Sequence, residues 1–537
     1  MNRLMLTTAV VGLMGGWTGA AAAQTAMSGG SVAQLDEVVV TARRREENLQ
    51  QVPVAVTTLT QGQINNQGSF RINDLERSVP SLTFTNSVGT RSDVVPTLRG
   101  QSRVFGGRYP STMTYFSEVP ILKITNGQFY DLENIQVLRG PQGTLFGRVT
   151  DGGNLMITPR KPTNDFSGFI QGRFGDYSLR DFVGAVNVPI FKGKLLARVA
   201  FDINRRDGFT RNLLPGVDKD SSDLDNVHYN SFRFSLVARP TDQFENYTVV
   251  AYKEANENGF GNQIVQVNPT IIAGTVNGLA SAFGLGSQVP AFGNGVAAQM
   301  QAAILAQRAS GIRTTSAGSL LFGSNAGLYN KRQDTYVINR TTFGVNDNLT
   351  LKNILGYGRI KNHWGADFDG SPLLYIDTEN VNLPHPEFNL EQVSEEFQVE
   401  GKAFDGKLNY TVGAYWDFVH NPTPSENQTV NIILLYRADQ QSQQTRSAAI
   451  YGQAAYDLGD LLPGLKFDVG LRYTEDSTKS TNASIQSAFF PQLGLGVGAY
   501  PHGFCPSPGA SPGCRPARSA GARCSGRSPT PRPTLRA

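Results

Sequence analysis

The sequence predicts a mainly β protein: a transmembrane antiparallel β-barrel, with about eleven strands in this chain, preceded by a small α+β domain. Three observations carry that expectation. Several segments beyond residue 166 alternate apolar and polar residues with period 2 over membrane-spanning lengths, with aromatics near their ends. The links between them alternate short and long. After the N-terminal leader, no stretch reaches the roughly 18 to 20 apolar residues of a transmembrane helix. An exported chain that enters a membrane without such a helix must satisfy its backbone in a barrel.

Taken in order, Arg3, a mainly apolar run over 4–14 and Ala21-Ala22-Ala23 before Gln24 give residues 1–23 the form of a secretory signal peptide. Residues 24–51 are a polar linker ending in LDEVVVTARRREENLQQ. Within it Val38, Val39 and Val40 form a short β-prone run suited to adding to a partner's sheet, or to serving as an edge strand of the next domain. Residues 52–162 form the α+β domain, with short apolar runs at 52–59, 135–138 and 155–157 between Gly- and Pro-rich turns. A helical turn over 73–76 ends before Pro80.

Residues 163–500 carry the strands, read at 166–174, 179–188, 194–204, 229–238, 244–253, 333–343, 349–360, 394–403, 408–418, 447–457 and 465–475. The second of these is followed by a tight turn at 189–193, and tight turns recur at 239–243, 344–348, 404–407 and 458–464. Long polar links fall at 205–228, 254–332, 361–393 and 419–446. Short turns at one end and long loops at the other are the arrangement of outer-membrane barrels. The longest loop contains a helix over 296–309 with Gly311 as its stop, and its length makes it a candidate lid or ligand contact.

Hydrophobic residues make up 39% of the chain, which suits strands that are apolar on one face only. The net charge of +4 comes from the tail at 501–537, which has six Arg and no acid. The remainder has no concentrated basic face, which argues against nucleic acid as a partner. All three cysteines also lie in that tail, so the preceding residues can build neither a disulfide framework nor a cysteine zinc site. Searches for catalysis fail. The G-x-S-x-G at 509–513 has Pro after its Ser, and the G-x-x-x-x-G-K at 401–407 lacks the hydroxyl and lies at a barrel turn. No His has metal-ligand spacing; His228, His363, His385 and His420 fall in or beside long loops. The expectation is no catalytic residue, no metal and no cofactor.

The informative motif is DLENIQVLRGPQGTLFG at 131–147, a strand ending in Arg139, Gly140 and Pro141 before the glycine-punctuated turn at Gly143 and Gly147. A second Leu-Arg-Gly places Arg99 and Gly100 at another strand end. At these residues the chain resembles the TonB-dependent receptor family. DEVVVTARRREENLQQVPVAV resembles its TonB box running into the plug; LRGQ at 98–101 and IQVLRGPQGTLFG at 135–147 resemble the paired plug signatures. Residues 152–162 resemble the plug's closing strand. Two runs depart from the pattern: 115–120, where Ser117 and Glu118 replace the usual Asp-Gly, and 148–151.

The resemblance implies a 22-stranded barrel around the plug and uptake of a scarce small molecule such as a ferric siderophore. It implies a box, Glu37, Val38, Val39, Val40, Thr41 and Ala42, that pairs with TonB, which couples the receptor to the inner-membrane energising complex. The location is the outer membrane, in contact with its lipid. SEEFQ at 394–398 resembles a strand whose glutamate faces the plug arginines, so Glu396 is expected to pair with Arg99 or Arg139. The eight prolines of 501–537 leave no room for a membrane strand, and the composition fits a GC-rich gene read out of frame, or a disordered tail. The expectation is an incomplete barrel that is defective as a transporter. The alternatives are an inactive truncated product and a barrel-anchored enzyme or adhesin.

Overall fold

The computed structural model describes residues 39–40, 47–48, 55–86, 93–102, 110–121, 123–141, 143–148, 150–213, 223–282, 289–310, 314–315, 328–367, 370, 376–379, 388–431, 435–490 and 495–496. The signal peptide, Glu37, Val38, Thr41, Ala42 and the tail lie outside them. Val39 and Val40 pair antiparallel with Asn48 and Glu47 in a two-stranded sheet that joins no other described sheet.

The N-terminal domain is built from short apolar runs that cross one another. Its strands are β1 (Val56–Thr60), β2 (Leu82–Asn86), β3 (Asp93–Leu98), β4 (Thr112–Phe116), β5 (Val119–Ile121), β6 (Ile124–Thr125), β7 (Leu132–Arg139) and β8 (Gly153–Pro159). One sheet has the order β1-β7-β8-β4-β5, the other β2-β3-β6. β7 and β8 lie inside the first sheet, which is why Ile135, Val137, Leu155 and Ile157 read as near-continuous apolar runs and are all buried. Helix α1 (Gln61–Asn66) starts where Thr60 accepts from the Gln63 amide and the Gln63 side chain accepts from the Thr60 amide. That capping box satisfies two groups a helix start otherwise leaves unmet. The turn expected at 73–76 is a 3-10 helix, Ile72–Arg77, which drives Ile72 and Leu75 into the core.

Eleven long strands follow: β9 (Ser167–Gly175), β10 (Leu179–Phe191), β11 (Leu195–Arg206), β12 (Val227–Thr241), β13 (Phe244–Asn258), β14 (Tyr329–Asn346), β15 (Leu349–Asp367), β16 (Phe388–Ala403), β17 (Leu408–His420), β18 (Leu435–Asp457) and β19 (Lys466–Phe490). Each expected strand has its counterpart in one antiparallel sheet. The pattern undershot the loop-side ends: β13 runs to Asn258 because every residue of Glu254–Asn258, although all but Ala255 are polar, stays in register with β14. The ladder, not the hydrophobic stripe, sets where these strands stop. Ile376–Glu379 and Ser425–Asn431 extend the sheet at that end between β15 and β18.

The faces are inverted relative to a soluble sheet. Phe234 on β12 is 41% exposed while its neighbour Arg233 is 2% exposed. Val199, Phe232, Val412 and Trp416 likewise point outward, and Arg198, Lys253, Arg332 and Asp417 point in. Apolar residues outside and charges inside are what a lipid-facing wall around a polar lumen requires. Among the described residues no helix is long and apolar enough to cross a membrane. Among them too, β9 pairs only with β10, and β19 only with β18 and Leu495–Gly496, so this sheet is not closed on itself.

The long loop contains α2 (Pro269–Ala282), which the sequence reading missed, and α3 (Val289–Ala309), which begins about two turns before the expected start. The loops pack together: Thr210–Asn212 pairs with Asp223–Leu224 and with Thr314–Thr315.

Candidate functional site

The N-terminal domain sits against the inward, charged face of the long sheet, and three contacts fix it there. The first is made by Asp131, which opens the 131–147 motif. Its backbone turns through a positive φ of 48° after a 3-10 turn, Asn126–Gln128, and this aims the carboxylate at the wall. Arg198 on β11 grips it with two parallel bonds of 2.8 and 2.6 Å. Arg233 on β12 donates to the Tyr130 and Asp131 carbonyls at 2.7 and 2.8 Å, with its guanidinium 4.5 Å from the Tyr130 ring centroid. Burial pushes the Tyr130 phenol up to about 12, with Arg233 pulling the other way. Planar two-point grips of this kind fix orientation as well as position.

The second contact takes the end of the motif. Arg148 holds Asp417 on β17 through bonds of 2.7 and 2.6 Å, with the carboxylate fully buried. Arg472 on β19 donates to the Phe146 and Gly147 carbonyls at 2.7 and 2.6 Å. A Cβ at Gly147 would overlap the buried Tyr415 ring, so the last glycine of the motif is there for close approach to the wall. Gly100 and Gly140 have φ of 77° and 94°, conformations in which glycine is unstrained. Pro141 is exposed and Gly143 is half-buried in the loop between.

The third contact is the β4–β5 hairpin tip. Glu118 binds Arg340 on β14 and, at 2.6 Å, Lys352 on β15. Lys161, just beyond β8, reaches Glu245 on β13 at 3.4 Å. Burial and the nearby Arg340 lower the Lys161 pKa, while Glu245 opposes them. Apolar contact backs these pairs: Tyr247, Val249, Tyr336 and Ile338 of the wall join the core that contains Val119 and Ile124.

Glu396 faces inward, as expected, and is 3% exposed. The expected pairing is corrected in its details. Glu396 accepts from the Tyr451 hydroxyl and, at 2.8 Å, from Gln398. Arg139 donates to Thr57 on the neighbouring strand β1. Arg99 lies in a positive-φ turn with its guanidinium beside Gly140. Among the described residues no ion pair joins Glu396 to either arginine; at this end Arg148 reaches from the plug to the wall and Arg472 from the wall to the plug. Sequence reasoning passed over Asp131, Arg148 and Glu118. Asp131 opens the motif, Arg148 follows it directly, and Glu118 lies in the 115–120 run that departs from the family pattern. Among the described residues no cluster of three or more His, Cys, Asp or Glu could hold a metal ion.

The inner charges of the long sheet thus hold a separate α+β domain against its polar face. The TonB-dependent Receptor Plug Domain family matches residues 48–154, and the TonB dependent receptor-like, beta-barrel family matches residues 270–503. The chain belongs to the TonB-dependent receptor family.

The N-terminal domain is thus its plug, and the long sheet is barrel wall. This receptor is 27% identical over 224 residues to the pesticin receptor of Yersinia pestis, across 41% of this chain and 32% of that protein. It is 27% identical over 169 residues to the ferrioxamine B receptor of Salmonella typhimurium, across 30% of this chain and 22% of that protein. Among solved structures, the ferric yersiniabactin uptake receptor FyuA of Yersinia pestis matches with a TM-score of 0.60 at 16% identity, over 81% of this chain and 58% of that one. The ferripyoverdine receptor of Pseudomonas aeruginosa matches with a TM-score of 0.55 at 12% identity, over 84% and 56%. The chain spans a third or less of the curated relatives' length in these matches and under two thirds of the structural ones. The family is one of transport receptors, not enzymes, and its place is the outer membrane of Gram-negative bacteria.

Proposed function

We propose that this receptor takes up a scarce iron chelate of the ferric siderophore class across the outer membrane, with energy delivered through TonB to the plug. The observation that carries the proposal is how the plug is held. Two bidentate pairs, Asp131–Arg198 and Arg148–Asp417, tie it to the wall at the two ends of its signature motif. Side-chain pairs between separately folded units can be broken and remade without unfolding either unit, which plug displacement demands. The relatives support the cargo class, since the names of several refer to ferric siderophores or iron.

TonB is proposed as partner through the box at 37–42. Such a strand would add to TonB's sheet in the periplasm by main-chain hydrogen bonds, with alternate side chains giving specificity. The inner-membrane complex then supplies the force, and no covalent chemistry occurs. An open sheet leaves unpaired backbone groups in lipid, at roughly several kcal/mol each. The activity is therefore assigned to the plug within a closed wall. Growth tests this reading: a strain lacking the gene should fail on iron-limited medium supplied with its ferric siderophore and grow normally on defined carbon sources. Failure on one carbon source with normal iron-limited growth would replace the cargo class.

A further inference from the structure

The β4–β5 turn carries more strain and more charge than a two-residue hairpin needs. Ser117 and Glu118 both have positive φ, 48° and 71°. That is the type I′ geometry, which Asn-Gly and Gly-Gly adopt readily and a Glu does not. The strained residue reaches from the hairpin tip to the wall, where Arg340 and Lys352 hold its carboxylate. The charges continue behind it. Arg340 lies 3.5 Å from Glu245, and Glu245 takes Arg239 at 2.7 Å and Lys161 at 3.4 Å. These groups line a cleft of about 720 Å³ at the short-turn rim of the wall, and among the described residues the plug contributes Glu118 and Lys161 to its lining. Below the tip, Val119 rests on Gly356, where a Cβ would collide with it.

We propose that Glu118 is a positioning residue that latches the short-turn side of the plug to β14 and β15, so that its release from Arg340 and Lys352 is a step in plug displacement. A turn selected for its own stability would carry glycine at position 118. A carboxylate at this place is explained by what it binds across the interface. Arg340 keeps Glu245, a residue of its own wall, as a partner when the latch opens, so the wall side is prepared for release.

The proposal rests on the uptake reading, but its test needs neither TonB nor cargo, so the two can fail separately. In the full-length receptor in outer-membrane vesicles, with Cys505, Cys514 and Cys524 each replaced by Ser, a cysteine replaces the buried Ser117 and is modified with a water-soluble maleimide. A second receptor carries Thr125→Cys, on a buried plug position away from the tip. Glu118→Gln is expected to speed labelling at 117 at least tenfold and to leave labelling at 125 within twofold. Glu118→Asp should restore slow labelling. Glu118→Gly separates the latch from the turn: it suits the backbone, so a merely structural residue predicts a tip as closed as the parent's, whereas a latch predicts faster labelling. A slow 117 reporter in Glu118→Gly, or equal acceleration of both reporters in Glu118→Gln, overturns the proposal. Should the Ser117 variant fail to insert, protection of the plug from added protease in the same Glu118 series replaces it, and equal protection across the series overturns it.

Discussion

Replacing Asp417 with Asn should loosen the plug more than any other single isosteric change in the wall. The side chain keeps its shape, but the Arg148 guanidinium, 9% exposed, loses the charge it faces. Two charge-assisted bonds of 2.7 and 2.6 Å place the charge centres about 4 Å apart, an attraction of about 4 kcal/mol at an effective dielectric of about 20. Removing one partner of a buried pair costs about 3–5 kcal/mol, because the other charge is stranded. For a domain of this size urea unfolding has a slope of about 1.5 kcal/mol per M. Plug release, followed by its susceptibility to protease in urea, should therefore move about 2–3 M lower. The companion change is Arg148→Met with Asp417→Leu, which removes both charges and should recover most of the loss. A shift under about 0.5 M in Asp417→Asn, or a double variant as weak as the single one, would refute the reasoning.

Three further outcomes follow from the same geometry. Gly147→Ala should cost about 1–3 kcal/mol in the same urea assay, since the new methyl meets the buried Tyr415 ring and overpacking has few ways to relax. Plug stability should fall as pH rises from 10 toward 12: the Tyr130 phenol is pushed up to about 12 in the folded plug and ionises near 10 when unfolded, so the unfolded chain releases its proton first. Tyr130→Phe should flatten that part of the pH–stability curve, and an unchanged slope would show that another group causes it. Val39→Pro, which removes a backbone donor in the proposed box, should leave ferric siderophore binding intact and abolish uptake.

Much of the fold was legible because a barrel wall writes itself into sequence with period 2. Phe232 and Phe234 against Arg233 and Ser235 gave both the strand and its faces, and the structure keeps that phase. Strand ends were less legible: Glu254–Asn258 has no apolar stripe, and it is its pairing with Tyr329–Gln333 that carries it on as strand. Helix α2 was missed because its Thr, Gly and Asn residues weaken the helical signal, although its start is marked by Asn268, whose side chain accepts from the Thr270 and Ile271 amides, and by Pro269 at the first helical position. The plug contacts were legible by face but not by partner. Alternation says that Arg198, Arg233 and Asp417 point inward; it says nothing of which plug residue lies opposite. Glu396 shows the limit, since its inward orientation followed from the strand while its partners, Tyr451 and Gln398, come from β18 and its own strand.

Whether plug and wall act together as an energised uptake receptor is read from the initial rate at which intact cells accumulate iron-55 loaded siderophore. The rate should be high in cells expressing the receptor with TonB. It should fall to the receptor-free background in cells lacking TonB, while surface binding of the same chelate persists in both. Equal accumulation with and without TonB would show that the receptor is not energised through TonB.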